Sequence, residues 1–286
     1  MKSRTKIWIG VGAFVIAGAG AGEAAEAPSL DRLRMQSDTS DLALALSAPL
    51  RLAEMKQMKH EHGEEGGEKG NANLPPDLDF ALKIALIRGH LLVGDQLVKE
   101  NQWAAALPHF LHPGEELYGP IRGKLKDYKT PPFAAALKTL ANVVKGKKGG
   151  ADYDNAVKAV NDALAAADAG LKEKQKDWTS FTVETALEAL KSATGEYEEA
   201  IVKGRIAKPV EYQDARGFVW QAEAMIEAIA PALEQKDKDA LAAVRAGFVE
   251  LKKAWPTAMA PKVPVKDHAA VLADVSRIEL AAGKLM

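Results

Sequence analysis

Residues 77–101 read DLDFALKIALIRGHLLVGDQLVKEN, and this stretch decides the fold. Its large apolar side chains recur at spacings of three, four and seven residues, which places them on one face of an α-helix. These side chains are Phe80, Ile84, Ile87, Leu91 and Val98. The sequence therefore predicts an amphipathic helix that ends near residue 101.

Helical periodicity continues along the rest of the chain. A second helix is predicted from residue 102 into Pro108, so that the first two helices form a hairpin. Further helices are predicted at 133–144, 153–174, 181–203, 211–235, 239–254 and 268–285, with Gly-rich and Pro-rich connections between them. No alternating strand pattern occurs. We therefore predict an all-α, antiparallel helical bundle over residues 79–286, and a subdivision into two packed bundles near residue 150 stays open.

The N-terminus has the three parts of a secretory signal. Basic residues lie within the first six positions, residues 7–21 carry no charge, and Ala25-Glu26-Ala27 resembles a cleavage site. Residues 1–27 are therefore predicted to be a cleaved signal peptide that exports the protein to the periplasm. The alternative is an uncleaved N-terminal anchor, for which the apolar stretch is short.

Composition excludes several functions. Lys and Arg number 38 against 39 Asp and Glu, and this near-neutral balance argues against a nucleic-acid binder. Because the chain has no cysteine, disulfides, thiolate metal ligands and thiol nucleophiles are excluded. Neither a His-Glu-x-x-His peptidase motif nor a Gly-x-Ser-x-Gly elbow is present. The sequence predicts a protein that is not an enzyme.

Residues 28–78 are predicted to be a flexible N-terminal segment that contains His, Met and Glu. Residues 55–78 in particular are polar and glycine-rich. His60 and His62, with methionine and glutamate nearby, form a candidate secondary tether that captures metal ions. The alternative is a solvated run of charged residues.

Residues 109–116 read HFLHPGEE and contain two of the six histidines. His109 and His112 are three residues apart, so on a helix both point to the same side, with Glu116 one turn further along. Imidazole and carboxylate ligands suit Fe, Zn, Cu and Mn without choosing among them. We predict that His109, His112 and Glu116 bind a transition-metal ion, with Glu115 as a further candidate. The alternative is a set of surface polar residues around a Pro-Gly turn.

His90 is the remaining candidate ligand. It lies at the flank of the apolar stripe of the first predicted helix. If the helical hairpin closes, His90 faces the turn that carries His109 and His112, which would give three imidazoles and a carboxylate. Alternatively, His90 is a hydrogen-bonded histidine at the edge of the core.

Two segments, EYEEAIVKGRI at 196–206 and EYQDARGF at 211–218, resemble the extracytoplasmic N-terminal region of bacterial high-affinity iron permeases. The resemblance implies a part in iron handling outside the inner membrane, with iron as the favoured metal and an inner-membrane iron permease or another envelope protein as partner. The chain lacks the Arg-Glu-x-x-Glu motifs of the permeases and their transmembrane helices. The resemblance therefore implies an accessory protein and not the permease itself.

These observations predict a periplasmic metal-binding accessory protein for iron uptake or handling. Two alternatives stay open at the level of the sequence. One is a helical bundle that binds an apolar small molecule between its helices. The other is a structural or interaction subunit of an envelope complex.

Overall fold

The computed structural model describes residues 74–286, and this part of the chain has the predicted all-α fold. The predicted signal peptide and the tether with His60 and His62 lie outside the described residues. The helices are α1 (Pro76–Lys99), α2 (Trp103–His112), α3 (Tyr118–Ile121), α4 (Ala134–Lys145), α5 (Ala151–Lys174), α6 (Trp178–Ala200), α7 (Pro209–Ala228), α8 (Ala230–Lys236), α9 (Lys238–Leu251) and α10 (His268–Ala282). Short 3₁₀ segments follow α3 at Arg122–Tyr128 and α9 at Lys252–Ala254.

Helices α1 and α2 form the predicted hairpin. Helix α1 begins at Pro76, three residues before the predicted start of the bundle, because proline suits a first turn whose amides have no helical partner. After Lys99 the chain reverses through Asn101, which has a left-handed φ of 59°. The amide of Gln102 then donates to the carbonyl of Leu97 at 2.8 Å. This tight turn brings α2 back along α1.

Helix α2 continues into a π-helical turn at Pro113–Leu117. Pro113 has no amide hydrogen to offer the carbonyl of His109, four residues earlier. Instead, the amide of Tyr118 donates to the carbonyl of Pro113, five residues back, which is the spacing of a π-helix. The widened turn directly follows His112, so it lies at the end of the helix that carries two of the candidate ligands.

Helices α6 and α7 are joined by a short β-hairpin where the sequence predicts that a helix continues to residue 203. Strands β1 (Ile201–Val202) and β2 (Arg205–Ile206) pair antiparallel. Between them Lys203 and Gly204 have φ values of 52° and 73°, as a type I′ turn requires at both central positions. The hairpin ends α6 at Ala200 and turns α7 back along it.

The helix predicted across 211–235 is also divided. Helix α7 ends at Ala228, and α8 begins at Ala230. Pro231 lies in the first turn of α8, where its missing amide hydrogen is tolerated, whereas it would interrupt the hydrogen bonds of one continuous helix.

Helix α1 is the centre of the bundle and packs against α2, α6 and α7. Where α1 crosses α7, Gly89 faces Gly217, and a Cβ atom on Gly217 would lie 2.2 Å from the carbonyl oxygen of Gly89. Only glycine permits this approach of the two backbones. The crossing brings His90, the residue after Gly89, next to Asp214 of α7.

The buried apolar side chains form one continuous core from α1 to α10, with members on both sides of residue 150. A subdivision near residue 150 would have to divide this core. Among the helices of residues 74–286, none is both long enough and apolar enough to cross a membrane.

Candidate metal centre

Three imidazoles converge on the carboxylate of Asp214 in the interior of the bundle. The Nδ1 atoms of His90 and His109 lie 2.7 and 2.6 Å from Oδ1 of Asp214. Nδ1 of His112 lies 3.4 Å from Oδ2. The helical spacing of His109 and His112 turns both toward α7, while His90 reaches the carboxylate from α1. The hairpin thus unites the three histidines that the sequence singles out.

The cluster is almost closed to solvent. The side chains of His90 and Asp214 are 0% and 2% exposed, while that of His112 is 14% exposed. His90 packs edge-on against the ring of Phe218, with the centroids 5.0 Å apart. His112 therefore forms the solvent edge of the cluster, next to the π-helical turn.

Asp214 is ionised in this setting. Burial by itself would raise the pKa of its carboxyl group, because it disfavours the charged form. The attraction of His90 and His109, together with hydrogen bonds from His109 and His112, outweighs burial and holds the pKa of Asp214 well below its ordinary value. A buried carboxylate is tolerated only when it is compensated in this way.

Hydrogen bonds occupy both ring nitrogens of His109. Nδ1 contacts Asp214, and Nε2 lies 3.0 Å from Oε1 of Gln213. The amide nitrogen of Gln213 donates to the carbonyl of Ala258 at 3.2 Å, which leaves its oxygen to accept from His109. Because both ring nitrogens are engaged in hydrogen bonds, neither is free for a metal ion in this arrangement, and His109 fixes the orientation of the Asp214 carboxylate.

His90, His112 and Asp214 have the geometry of a metal-ligand set. One ligand atom from each residue lies within 4.8 Å of the other two. Two ligands bound about 2.1 Å from one ion are at most about 4 Å apart, so small side-chain rotations suffice to close the site. Two imidazoles and one carboxylate form a set that binds ferrous iron in proteins and leaves coordination positions open.

The set of three does not include Glu115 and Glu116, which stay predicted ligands. Glu116 is half-buried on the π-helical turn. Glu115 is exposed and lines a separate cleft together with Leu111 and Lys138. Both glutamates lie on the π-helical turn, whose backbone differs from the ideal α-helix on which the sequence prediction relied.

Sequence reasoning missed Asp214 and Gln213, although both lie in the segment that carries the permease resemblance. The sequence does contain a pattern that indicates a buried role for Asp214. Asp214 lies four residues before Phe218, so the two share one face of α7, and a carboxylate on an apolar face needs a buried partner. Two tyrosines of the same segments, Tyr197 and Tyr212, are buried against Trp255.

Residues 172–286 match the family of the iron permease-associated 4-helix bundle domain. The match confirms the resemblance to the iron permeases. It spans α6 to α10 and relates this part of the chain to iron uptake and to a transport-related family, not to a family of enzymes. No curated protein and no solved structure has a significant match to the chain. Asp214 and Gln213 lie inside the matched segment, whereas His90, His109 and His112 lie before it.

Proposed function

We propose that the protein is a periplasmic accessory protein of iron uptake that binds one metal ion in the interior of its helical bundle. The observation that carries this proposal is the convergence of imidazoles from α1 and α2 on the buried carboxylate of Asp214. His90, His112 and Asp214 would be the ligands. His109 would be a positioning residue that fixes the carboxylate through its hydrogen bond.

Iron is the favoured ion for two independent reasons. The ligand set of two imidazoles and one carboxylate suits ferrous iron. The match of residues 172–286 to a permease-associated domain supports a role in iron uptake. The same match supports an inner-membrane permease or another envelope protein as the partner to which the ion is delivered.

The competing explanation is a buried polar network without a metal ion. A carboxylate in the core requires compensation, and hydrogen-bonded histidines can supply it. Such a network needs one or two partners, whereas here three imidazoles from two helices surround one carboxylate. The surplus of imidazoles favours the metal site.

The test is a calorimetric titration of the full chain with Fe²⁺ under anoxic conditions, and with Zn²⁺, Mn²⁺ and Cu²⁺. All variants carry His60→Ala and His62→Ala, so that the N-terminal tether does not contribute. The combined change His90→Ala and His112→Ala removes two ligands and is expected to weaken binding by more than about 100-fold. The matched control is His268→Ala, because His268 lies on α10 beside Glu198 at 4.0 Å.

We expect one ion per chain, with unchanged affinity in the His268→Ala control. If none of the four ions binds stoichiometrically, the cluster is a structural network and the proposal fails. Binding that survives the loss of His90 and His112 would equally reject this assignment of ligands.

The proposed location has its own test. Protein recovered from the periplasm should begin within residues 21–27, because the sequence there resembles a signal-peptide cleavage site. Mass spectrometry of the purified protein gives the N-terminus directly. Recovery of the intact Met1 form from the membrane fraction would establish an N-terminal anchor instead.

A further inference from the structure

A cleft between α1, α5, α6 and α7 lies apart from the histidine cluster. Its volume is about 220 Å³. The apolar residues of its lining are Ala81, Ala85, Leu171, Trp178, Phe181, Ala224, Met225, Ala228 and Ile229. An apolar cavity of about 150 Å³ is sufficient to bind benzene. The cleft therefore has the size and the lining for a molecule of one or two rings.

Gln221 is the polar side chain of this cleft that lacks a partner. It is 7% exposed and lines the cleft from α7. Within residues 74–286 its side chain makes no hydrogen bond, whereas Thr182 and Thr185 in the same lining donate to carbonyl groups of their own helix at 2.7 and 2.8 Å. The amide atoms of Gln221 keep contact with solvent, so their hydrogen-bonding capacity is open to exchange between water and a ligand. Gln221 can therefore offer a donor and an acceptor to a ligand.

The charged residues of the cleft neutralise each other. Arg88 of α1 donates two hydrogen bonds to the carboxylate of Asp168 on α5, at 2.7 and 3.0 Å. Because this pair is satisfied, a charged ligand would meet no unpaired counter-charge in the lining. A neutral ligand fits better.

We propose that this cleft binds a small neutral molecule with an apolar, ring-sized body and one hydrogen-bonding group that contacts the amide of Gln221. Trp178 and Phe181, whose ring centroids are 5.9 Å apart, supply the aromatic wall. None of the lining residues belongs to the histidine cluster, so this site is independent of the proposed metal centre.

The probes are 4-fluorophenol and fluorobenzene, which have similar bodies and differ in one hydroxyl group. Binding of each to the full chain is followed by ¹⁹F NMR. We expect saturable binding of 4-fluorophenol, and weaker binding of fluorobenzene because it cannot bond to Gln221. In Gln221→Leu, which is similar in size, the advantage of the phenol should fall by about tenfold, which corresponds to one hydrogen bond.

A second variant fills the cleft. Ala224 is exposed on the rim, so Ala224→Phe adds a ring to the cleft without disturbing the core, and binding of both probes should be lost. The matched control, Ala242→Phe, adds the same ring on an exposed position of α9 outside the cleft and should leave binding unchanged. Circular dichroism checks that both variants keep the helical fold.

Three results would overturn the proposal. The first is the absence of saturable binding of 4-fluorophenol, which would mean that water alone satisfies Gln221. The second is binding that persists in Ala224→Phe or is lost in Ala242→Phe, since the ligand would then lie elsewhere. The third is a preference for the phenol that survives Gln221→Leu.

Discussion

The two parts of the bundle contribute different things to the candidate metal centre. The part that matches the permease-associated domain, residues 172–286, supplies Asp214 and a scaffold of packed aromatic rings. In that scaffold Tyr197 donates to the carbonyl of Lys266 at 2.7 Å, and Trp255 donates to the carbonyl of Tyr212 at 2.9 Å. The part before it, from α1 to α5, supplies every imidazole of the cluster.

The family match therefore covers only part of the candidate site. The matched segment supplies a helical scaffold and the buried carboxylate of Asp214. The metal binding proposed for this cluster depends also on histidines that lie outside the matched segment. Metal binding by this chain is therefore an inference from its own geometry, and it needs tests that separate the contributions of the two parts.

The largest expected effect comes from the carboxylate. Asp214→Asn keeps the shape of the side chain but removes its charge and one ligand, so affinity for the ion should fall by more than about 100-fold. Calorimetry measures the change. The control is Asp274→Asn, another buried carboxylate of the matched part, which pairs with Lys266 at 2.6 Å. Equal losses of affinity in the two variants would show a general loss of stability and not the loss of a ligand.

A smaller effect is expected from His109. In His109→Asn the hydrogen bonds that orient Asp214 are weakened while the proposed ligands remain, so affinity should fall by about 10- to 100-fold. One ion per chain should still bind, which separates a positioning residue from a ligand. If the ion is no longer bound at any accessible concentration, His109 is itself a ligand, as the sequence predicts.

The helical fold could be predicted largely from the sequence, because apolar spacing determines which face of each helix is buried. The spacing of Phe80, Ile84 and Ile87 therefore gave helix α1. The ends of the helices were harder to predict from the sequence. The turn at Lys203 and Gly204, for example, depends on backbone conformation and not on apolar periodicity.

Part of the candidate metal centre could also be predicted from residue types and helical spacing. Three histidines stood out because they are rare in the chain and two share a helix face. Asp214 is one acidic residue among 39 Asp and Glu residues, and only the crossing of α1 and α7 shows which of them meets the histidines. The π-helical turn could not be foreseen either, because helical periodicity does not show that the backbone widens at the turn that carries Glu115 and Glu116.

The contact between α1 and α7 can be widened by a substitution at Gly217. In Gly217→Ala the new Cβ atom would lie 2.2 Å from the carbonyl oxygen of Gly89, so α1 and α7 must move apart. We expect a loss of about 1–3 kcal/mol in the free energy of unfolding, as for other overpacked positions, together with weaker metal binding. Denaturant unfolding measures the first and calorimetry the second. Gly119→Ala is the control, because nothing lies within 4 Å of its Cβ position, and it should cost less on both measures.

The smallest expected effect is the pH dependence that Glu250 gives to the free energy of unfolding. Glu250 lies within the matched part, residues 172–286. Hydrogen bonds from Lys253 and Lys266 lower the pKa of Glu250 from 4.5 to about 2. A lowered carboxyl pKa stabilises the folded state above pH 4.5, and this contribution disappears as the pH falls toward about 2. The stability difference between the wild type and Glu250→Gln should therefore shrink over this range. It should be small throughout, because exposed ion pairs contribute little. A difference that does not depend on pH would contradict this assignment.

The Gly89–Gly217 contact also bears on which ions the site can accept. Because two backbones touch at this point, the distance between the helices that carry His90 and Asp214 is set by main-chain atoms and not by flexible side chains. The distance between these two helices therefore cannot increase readily. Calcium binds six to eight oxygen atoms at about 2.3–2.6 Å and would need a wider, oxygen-rich shell. At the proposed site, the crossing of two glycines would therefore favour small transition-metal ions over calcium.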